Sequence, residues 1–444
     1  MQYPAGDFIL YRLENEDLIN RILDLKTEEE PLRLKKKYMQ YIGELTQMCE
    51  MHGFEGNLWH VLLTYHIAYH ENAFSKACEI RGHVDGAINE IALMDCETFM
   101  ELFAMDFSEL DEKTGIRLLP VIRDYHCVQG DKRLFSKRIR DRICLLTRRL
   151  AAAEDAGQFK QLVEEFYREF GVGKFGLHKA FRVRHIDEHD PLTHTGDVQI
   201  YPITNIAHVN LDDLVGYELA KKKLIDNTEA FVSGRRANNC LLFGDAGTGK
   251  SSSIKAILNQ YYDRGLRIIE IYKHQFRDLN NIIGQIKNRN YRFIIYMDDL
   301  SFEEFETEYK YLKAVIEGGL EKKPDNILIY ATSNRRHLIR ENYADKFSGG
   351  EEIRQDMHSS DTVQEKLSLV YRFGVTIYFG APDKKEFQQI VRTLAERAGV
   401  RMEEEKLLLL AGKWELNHGG FSGRTAQQFI DYLRGFESYD ELTL

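Results

Sequence analysis

Gly244-Asp245-Ala246-Gly247-Thr248-Gly249-Lys250-Ser251 is the stretch that decides the fold of this 444-residue chain. It fits the pattern G-x-x-x-x-G-K-[ST] in full. Three glycines let the backbone wrap closely enough for its N–H groups to point at phosphate oxygens. Cys240-Leu241-Leu242-Phe243 reads as an apolar strand leading in, and Ile254–Leu258 as a helix leading out. The N-terminus of that helix offers positive charge to the same anion. Lys250 is placed to reach the β and γ phosphates of ATP, and the Ser251 hydroxyl to ligate Mg²⁺. The stretch expected to bind the nucleotide runs on through Ser252.

Working outward, the texture of the chain from about residue 205 is that of a parallel α/β sheet, with short apolar strands alternating with amphipathic helices. Besides Cys240–Phe243, the expected strands are Leu266–Tyr272, Phe293–Met297, Ile327–Thr332 and Val375–Phe379. The third of these ends in Asp298-Asp299. A carboxylate at the C-terminal end of a parallel strand lies where such sheets bind ligands. Asp298 is therefore expected to partner Mg²⁺ directly or through water, and Asp299 to orient or deprotonate the attacking water.

A strand, a phosphate loop and a helix, then a strand closing in paired acids, resemble the AAA+ superfamily, where the two motifs are called Walker A and Walker B. Many members carry Asp-Glu where this chain has Asp298-Asp299, and replication initiators and helicase or transposase loaders resemble the Asp-Asp form. Glu303 and Glu304 are alternative bases. The resemblance implies further roles. Asn334, after the strand Asn326–Thr332, matches the polar sensor of the γ-phosphate. Arg372, in Glu365-Lys366-Leu367-Ser368-Leu369-Val370-Tyr371-Arg372-Phe373-Gly374, matches the arginine finger that reaches a neighbouring subunit's site; a surface ion pair is the plainer alternative. Arg424, in Ser422-Gly423-Arg424-Thr425-Ala426, matches the lid's sensor arginine. An arginine in a helix's first turn is disfavoured by the dipole, which adds weight to a functional role. Val215 and Gly216, in Leu214-Val215-Gly216-Tyr217, are expected to line the adenine pocket.

This likeness covers roughly residues 205–435. Within it the chain is most similar to a bacterial family of AAA-like ATPases known as domain of unknown function 815, to which no client is assigned. Asp298-Asp299-Leu300-Ser301-Phe302, Lys366-Leu367-Ser368-Leu369 with Arg372-Phe373-Gly374, and the segment around Ser422-Gly423-Arg424 carry that likeness. Glu71-Asn72-Ala73-Phe74-Ser75 extends it into the first half.

That first half, residues 1–185, reads as helical. Trp59, Leu63, Ile67 and Phe74 recur near helical spacing, as do Ile139, Ile143, Leu146 and Leu150. His185-Ile186-Asp187-Glu188-His189-Asp190-Pro191 looks like a junction. The expected organisation is a helical N-terminal domain over 1–185, an α/β nucleotide domain over 205–380 and a helical lid over 383–444.

Several features are weighed and set lower. His66-Ile67-Ala68-Tyr69-His70 lacks the glutamate a zinc protease needs after its first histidine, so core histidines are the better reading. Eight basic residues and one acid, Asp141, lie between Lys132 and Arg149; Arg138, Arg142 and Arg149 can share a helix face that is solvated or grips phosphate. Tyr272-Lys273-His274-Gln275-Phe276-Arg277 lacks the glycine of polypeptide-threading pore loops. The six cysteines form no C-x-x-C pair and favour free thiols. A net charge of −10 argues against a dedicated nucleic-acid binder. With no signal peptide and no long apolar run, the expected location is the cytoplasm, away from membrane.

The expectation is an AAA+ three-layer α/β protein that binds and hydrolyses ATP with Mg²⁺, assembles as a homo-oligomer and remodels an unknown protein or nucleic-acid client. A slow nucleotide-dependent switch and a DNA-associated loader are the alternatives.

Overall fold

The computed structural model describes residues 8–14, 16–82, 84–128, 136–185, 198–204, 206–207, 209–302, 308–317, 324–335, 338 and 368–436. The chain divides into two compact units, one ending at His178 and the other beginning at Lys179.

The first unit is helical. Its longer helices are Pro31–His52, Leu58–Tyr69, Ile88–Phe103, Lys137–Ala151 and Ala156–Phe170. Trp59, Leu63 and Ile67 are buried on one of them, and Ile139, Ile143, Leu146 and Leu150 on another, as their spacing predicts. Phe74 is also buried, but on a separate helix, Ala73–Arg81. The break comes at Asn72, whose side chain and Ser75 form a reciprocal cap that starts the new helix. Such a cap contributes about 1 kcal/mol to the helix it starts. Asp95, fully buried, accepts the N–H groups of Ile9, Leu10 and Tyr11 and so pins the start of the described chain to the core. On the basic helix, Arg149 pairs with Glu165, Arg140 with Asp141, and Arg142 lies 4.1 Å over the Phe170 ring. Lys132 and Arg133 lie outside the described residues.

The second unit is built on a seven-stranded sheet of order β2-β1-β4-β5-β6-β3-β7. The strands are β1 (Ala180–His185), β2 (Val198–Pro202), β3 (Cys240–Gly244), β4 (Leu266–Glu270), β5 (Arg292–Met297), β6 (Ile327–Ser333) and β7 (Val375–Phe379). β1 and β2 pair antiparallel and every other neighbouring pair is parallel. Strands β3 to β6 are nearly continuous apolar runs because both faces of the sheet are covered. β1 and β2 were not expected. They carry Arg182, Arg184 and Gln199 among their apolar residues, and β2 is an edge strand, where polar residues are tolerated. The expected junction beyond His185 falls on residues 186–191, outside those described, while β1 itself already belongs to the sheet.

β3 does not pair with β4, the strand that follows it; β6 and β7 flank it instead. Met297 of β5 is level with Ala331 of β6, and Ser333 of β6 with Phe243 of β3. The carboxyl ends of three adjacent strands therefore lie side by side, which is where parallel sheets hold ligands. Downstream, the helices Lys384–Ala398, Glu404–Asn417 and Gly423–Leu433 enclose a small core of their own around Phe387, Ile390, Leu410, Phe429 and Leu433. No helix among the described residues is long and apolar enough to cross a membrane.

Candidate nucleotide site

The loop after β3 needs its glycines for stated reasons. A Cβ on Gly244 would sit 2.0 Å from the Phe379 carbonyl oxygen, and Gly247 and Gly249 take φ of 76° and 90°. Only glycine adopts both constraints without strain. Asp245 is anchored to the end of β7: its N–H donates to the Phe379 carbonyl and its carboxylate accepts from Ala381 N–H at 2.7 Å. The helix Lys250–Tyr261 then starts directly from Gly249.

Lys250 is buried, and its ammonium donates to the carbonyls of Gly244 (2.9 Å) and Asp245 (2.6 Å). Burial pushes its pKa down, against the upward pull of Asp245, Asp299 and Asp298. Ser251 Oγ donates to Asp298 Oδ1 at 2.7 Å. The same carboxylate oxygen accepts from Tyr296 (2.7 Å) and from Thr332 (2.5 Å). Desolvation pushes the Asp298 carboxyl up, but the hydrogen bonds from Thr332, Tyr296 and Ser251 outweigh it and hold the carboxyl below its ordinary range. Asp299 takes φ of 51°, an uncommon conformation for a non-glycine residue. It is held there from both sides: its N–H donates to Thr332 Oγ1 at 2.9 Å, and its Oδ1 accepts from Asn334 Nδ2 at 2.8 Å.

These groups open onto one cleft of about 560 Å³. Ala246, Gly247, Thr248, Gly249, Lys250, Ser251, Ser252, Asp298, Asp299, Asn334, Val215 and Arg424 all line it. Arg424 comes from the first turn of Gly423–Leu433, whose cap is Ser422, and its N–H donates to the Gly247 carbonyl at 3.1 Å. The loop after β3 and the last helix are thus hydrogen-bonded to each other. Gly244 and Asp245 shape the loop from behind rather than facing the cleft. Gly216, unlike Val215, is not among the residues lining the cleft; with φ of 81° it turns the chain between Val215 and Tyr217. Arg372 lies away from the cleft, its guanidinium donating to the Ser368 carbonyl and hydroxyl. Glu303, Glu304, Lys366 and Leu367 lie outside the described residues.

Tyr296 and Thr332 escaped the reading of the sequence as site residues, although both signals were present. Tyr296 is two residues before Asp298 on one strand, hence on the same face. Thr332 follows Ala331, the residue level with Met297, and so stands beside Asp298. Ile390, Leu394, Gln427 and Gln428 on the C-terminal helices also line the cleft. Elsewhere, Phe276 is buried, so that aromatic is packed inside rather than offered to a threaded chain.

The oxygens present fit Mg²⁺. A serine hydroxyl and a carboxylate oxygen 2.7 Å apart form the small, hard-oxygen protein contribution that Mg²⁺ takes, with phosphate and water as its remaining ligands. Among the described residues no cluster of three or more His, Cys, Asp or Glu could hold a metal by itself.

A family profile described as "Protein of unknown function (DUF815)" matches residues 188–437. Replication factor C subunit 3 of Schizosaccharomyces pombe is 33% identical over 81 residues, 18% of this chain and 22% of that protein. The chain thus spans about a fifth of that curated relative's length. Among solved structures, the Thermotoga maritima RuvB Holliday junction branch migration motor is similar with a TM-score of 0.35 and 17% identity, over 51% of this chain and 64% of that one. The FIGL-1 AAA domain in complex with ADP gives a TM-score of 0.34 and 18% identity, over 52% and 76%.

Proposed function

The chain belongs to the family described as protein of unknown function, DUF815, and from that premise we propose that it is an ATPase. Its fold is that of an AAA+ P-loop domain with a helical lid. The observation that carries the proposal is the convergence of Lys250, Ser251, Asp298, Asp299, Asn334 and Arg424 on one cleft.

ATP is the substrate, and Mg²⁺, held by Ser251 and Asp298, would supply charge neutralisation on the transferring phosphate. Lys250 exchanges two loop carbonyls for phosphate oxygens, regaining in charge what burial costs it. Asp299, fixed by Thr332 and Asn334, orients the attacking water and takes its proton. Arg424 meets the γ-phosphate from the lid, and because its own N–H holds Gly247, phosphate contact and lid position change together. Arg372, outside its own cleft, serves as the trans arginine of a homo-oligomer that acts on a macromolecular client. In steady-state assays Lys250→Ala and Asp298→Ala abolish Mg²⁺-dependent phosphate release, and Arg372→Ala abolishes it only in the assembled form. Turnover that survives Lys250→Ala overturns the proposal; sizing with and without ATP tests the assembly.

The hydrogen bond from Arg424 N–H to Gly247 favours one second reading, a nucleotide switch in which ATP sets the lid and hydrolysis is slow. Tight ATP binding with negligible turnover in every assembly state selects that reading. A loader gripping DNA through the basic helix is less favoured, since Arg140, Arg142 and Arg149 already have intramolecular partners. Stimulation by DNA that disappears in Arg138 and Arg142 variants would restore it.

A further inference from the structure

Asp245 is not among the residues lining the cleft, yet it is tied through both its main chain and its side chain. Its carbonyl accepts from the Lys250 ammonium at 2.6 Å and from the Thr248 hydroxyl at 2.8 Å. Its N–H donates to the Phe379 carbonyl at 3.0 Å, and its carboxylate accepts from Ala381 N–H at 2.7 Å. Ala381 follows β7 and stands two residues before Asp383, the cap of the helix Lys384–Ala398. The carboxylate therefore grips the chain where it leaves the sheet for the C-terminal helices. The phosphate-binding pattern leaves this position open and calls for no acid there. An acid in a loop that receives a triphosphate is unfavourable by charge alone, so its presence needs a reason.

The C-terminal helices meet the loop at two points. Asp245 holds their root, and the Gly247 carbonyl accepts from Arg424 N–H on the last of them at 3.1 Å. Phe387, Ile390, Leu410, Phe429 and Leu433 pack the three helices into one core, so they move as a body. A rigid body held at one point pivots freely; held at two, it turns only about the line that joins them. With the root bond in place, Arg424 keeps its station over the loop. Without it, the helices swing about the Gly247 contact and the guanidinium loses its fixed place.

We propose that Asp245 is a positioning residue for ATP hydrolysis, a latch between the phosphate loop and the root of the lid that sets where Arg424 stands. The inference rests on the ATPase reading above. There, Lys250 leaves the Asp245 carbonyl for phosphate oxygens. The Thr248 hydroxyl keeps that carbonyl in its turn, and the carboxylate stays on Ala381. The loop thus changes partners on its cleft side without releasing the lid. Because the donor at Ala381 is a neutral N–H, the position requires an acceptor rather than a charge.

The test compares the full-length chain with Asp245→Ala, which removes the acceptor, and Asp245→Asn, which keeps one. ATP affinity with Mg²⁺ is measured by calorimetry, kcat by phosphate release, and protection of the Ala381 N–H by hydrogen–deuterium exchange. Asp245→Ala is expected to lower kcat about tenfold, the worth of one hydrogen bond to a charged group, and to keep ATP affinity within about twofold. Exchange at Ala381 is expected to quicken by about the same tenfold factor. Asp245→Asn is expected to recover most of both losses. Unchanged kcat in Asp245→Ala overturns the proposal. So does an equal loss of affinity, which would mean that Asp245 only shapes the loop. A loss of kcat that Asp245→Asn leaves in place overturns it as well, since the charge and not the latch would then matter. Failure of the unsubstituted chain to release phosphate defeats the ATPase reading itself, a result plainly different from these. Matched melting temperatures show that the variants fold, and Asp245→Leu, which keeps the bulk without the acceptor, stands in if Asp245→Ala does not.

Discussion

Asp298 at the end of β5 and His66 near the end of the helix Leu58–Tyr69 are both ionisable groups set close to others of their kind, and their surroundings do opposite things. Around Asp298, three hydroxyls from three elements point at one oxygen and keep the carboxylate charged despite desolvation. Around His66, burial dominates: its ring lies 5.1 Å from that of His70, Nε2 has no partner among the described residues, and the pKa is pushed down to about 4. The first arrangement keeps a charge at the wall of a cleft. The second packs a neutral ring. What separates them is the number of donors aimed at the charged form and access to a cleft, not the proximity of titratable residues.

The sharpest way to break this contrast is at the phosphate loop. Lys250→Ala should lower ATP turnover by on the order of a thousandfold, as the loss of a charged group acting on the transferring phosphate does. Phosphate-release kinetics check it, and a loss under tenfold would mean the cleft is not the reacting site.

The next largest effect belongs to the histidine pair and concerns stability. His66 titrates near 4 in the folded chain and near 6.5 when unfolded. Between those values the unfolded chain binds more protons, so stability falls as pH drops from about 6.5 towards 4 and levels off below. The full swing is roughly 3 kcal/mol, and His66→Leu should flatten that part of the profile. Urea unfolding at pH 4.5 and 7.5, followed by Trp59 emission in a Trp414→Phe background, reports it for the first unit. A variant as pH-sensitive as the parent would show that other groups carry the dependence.

Smaller effects sharpen the description of the acid cluster. Asn334→Ala frees one side of Asp299 and, on the proposed mechanism, in which that bond orients a reacting group rather than binding substrate, should reduce kcat about ten- to a hundredfold with little change in KM. Tyr296→Phe removes one of three donors to Asp298. It should raise the Mg²⁺ concentration needed for half-maximal activity a few-fold and leave Mg²⁺-free nucleotide affinity unchanged. A change in kcat alone at saturating Mg²⁺ would assign Tyr296 a different part.

The strands that hold the site were legible because buried parallel strands are apolar runs: β3, β5, β6 and β7 each contain one of the stretches read from the sequence, while β4 stops at Glu270, two residues short of the expected Leu266–Tyr272. β1 and β2 were not, because Arg182 and Arg184 interrupt the apolar run of β1, and β2, a five-residue strand at the sheet's edge, carries Gln199 and Pro202. In the first unit the stripe from Trp59 to Phe74 looked like one helix and is two, since an Asn72–Ser75 cap is a local hydrogen-bond choice that apolar spacing does not record. The wall of the cleft formed by Ile390, Leu394 and Gln427 was equally hidden, each being an ordinary residue of an amphipathic helix.

By itself the amino-acid sequence determined the turn from Gly244 to Ser251, the strand that feeds it and the acids that close β5, because those depend on residues within a few positions of one another. Only the tertiary structure decided that Ser251, 47 residues from Asp298, and Thr332, 34 residues from it, meet on the same oxygen. It likewise brought Gly247 to Arg424 and left the Tyr217 hydroxyl buried without a partner among the described residues. The physical reason is register: the placement of β5 against β6 and of β6 against β3 is set by packing summed over the whole sheet, and no local stretch of chain contains it.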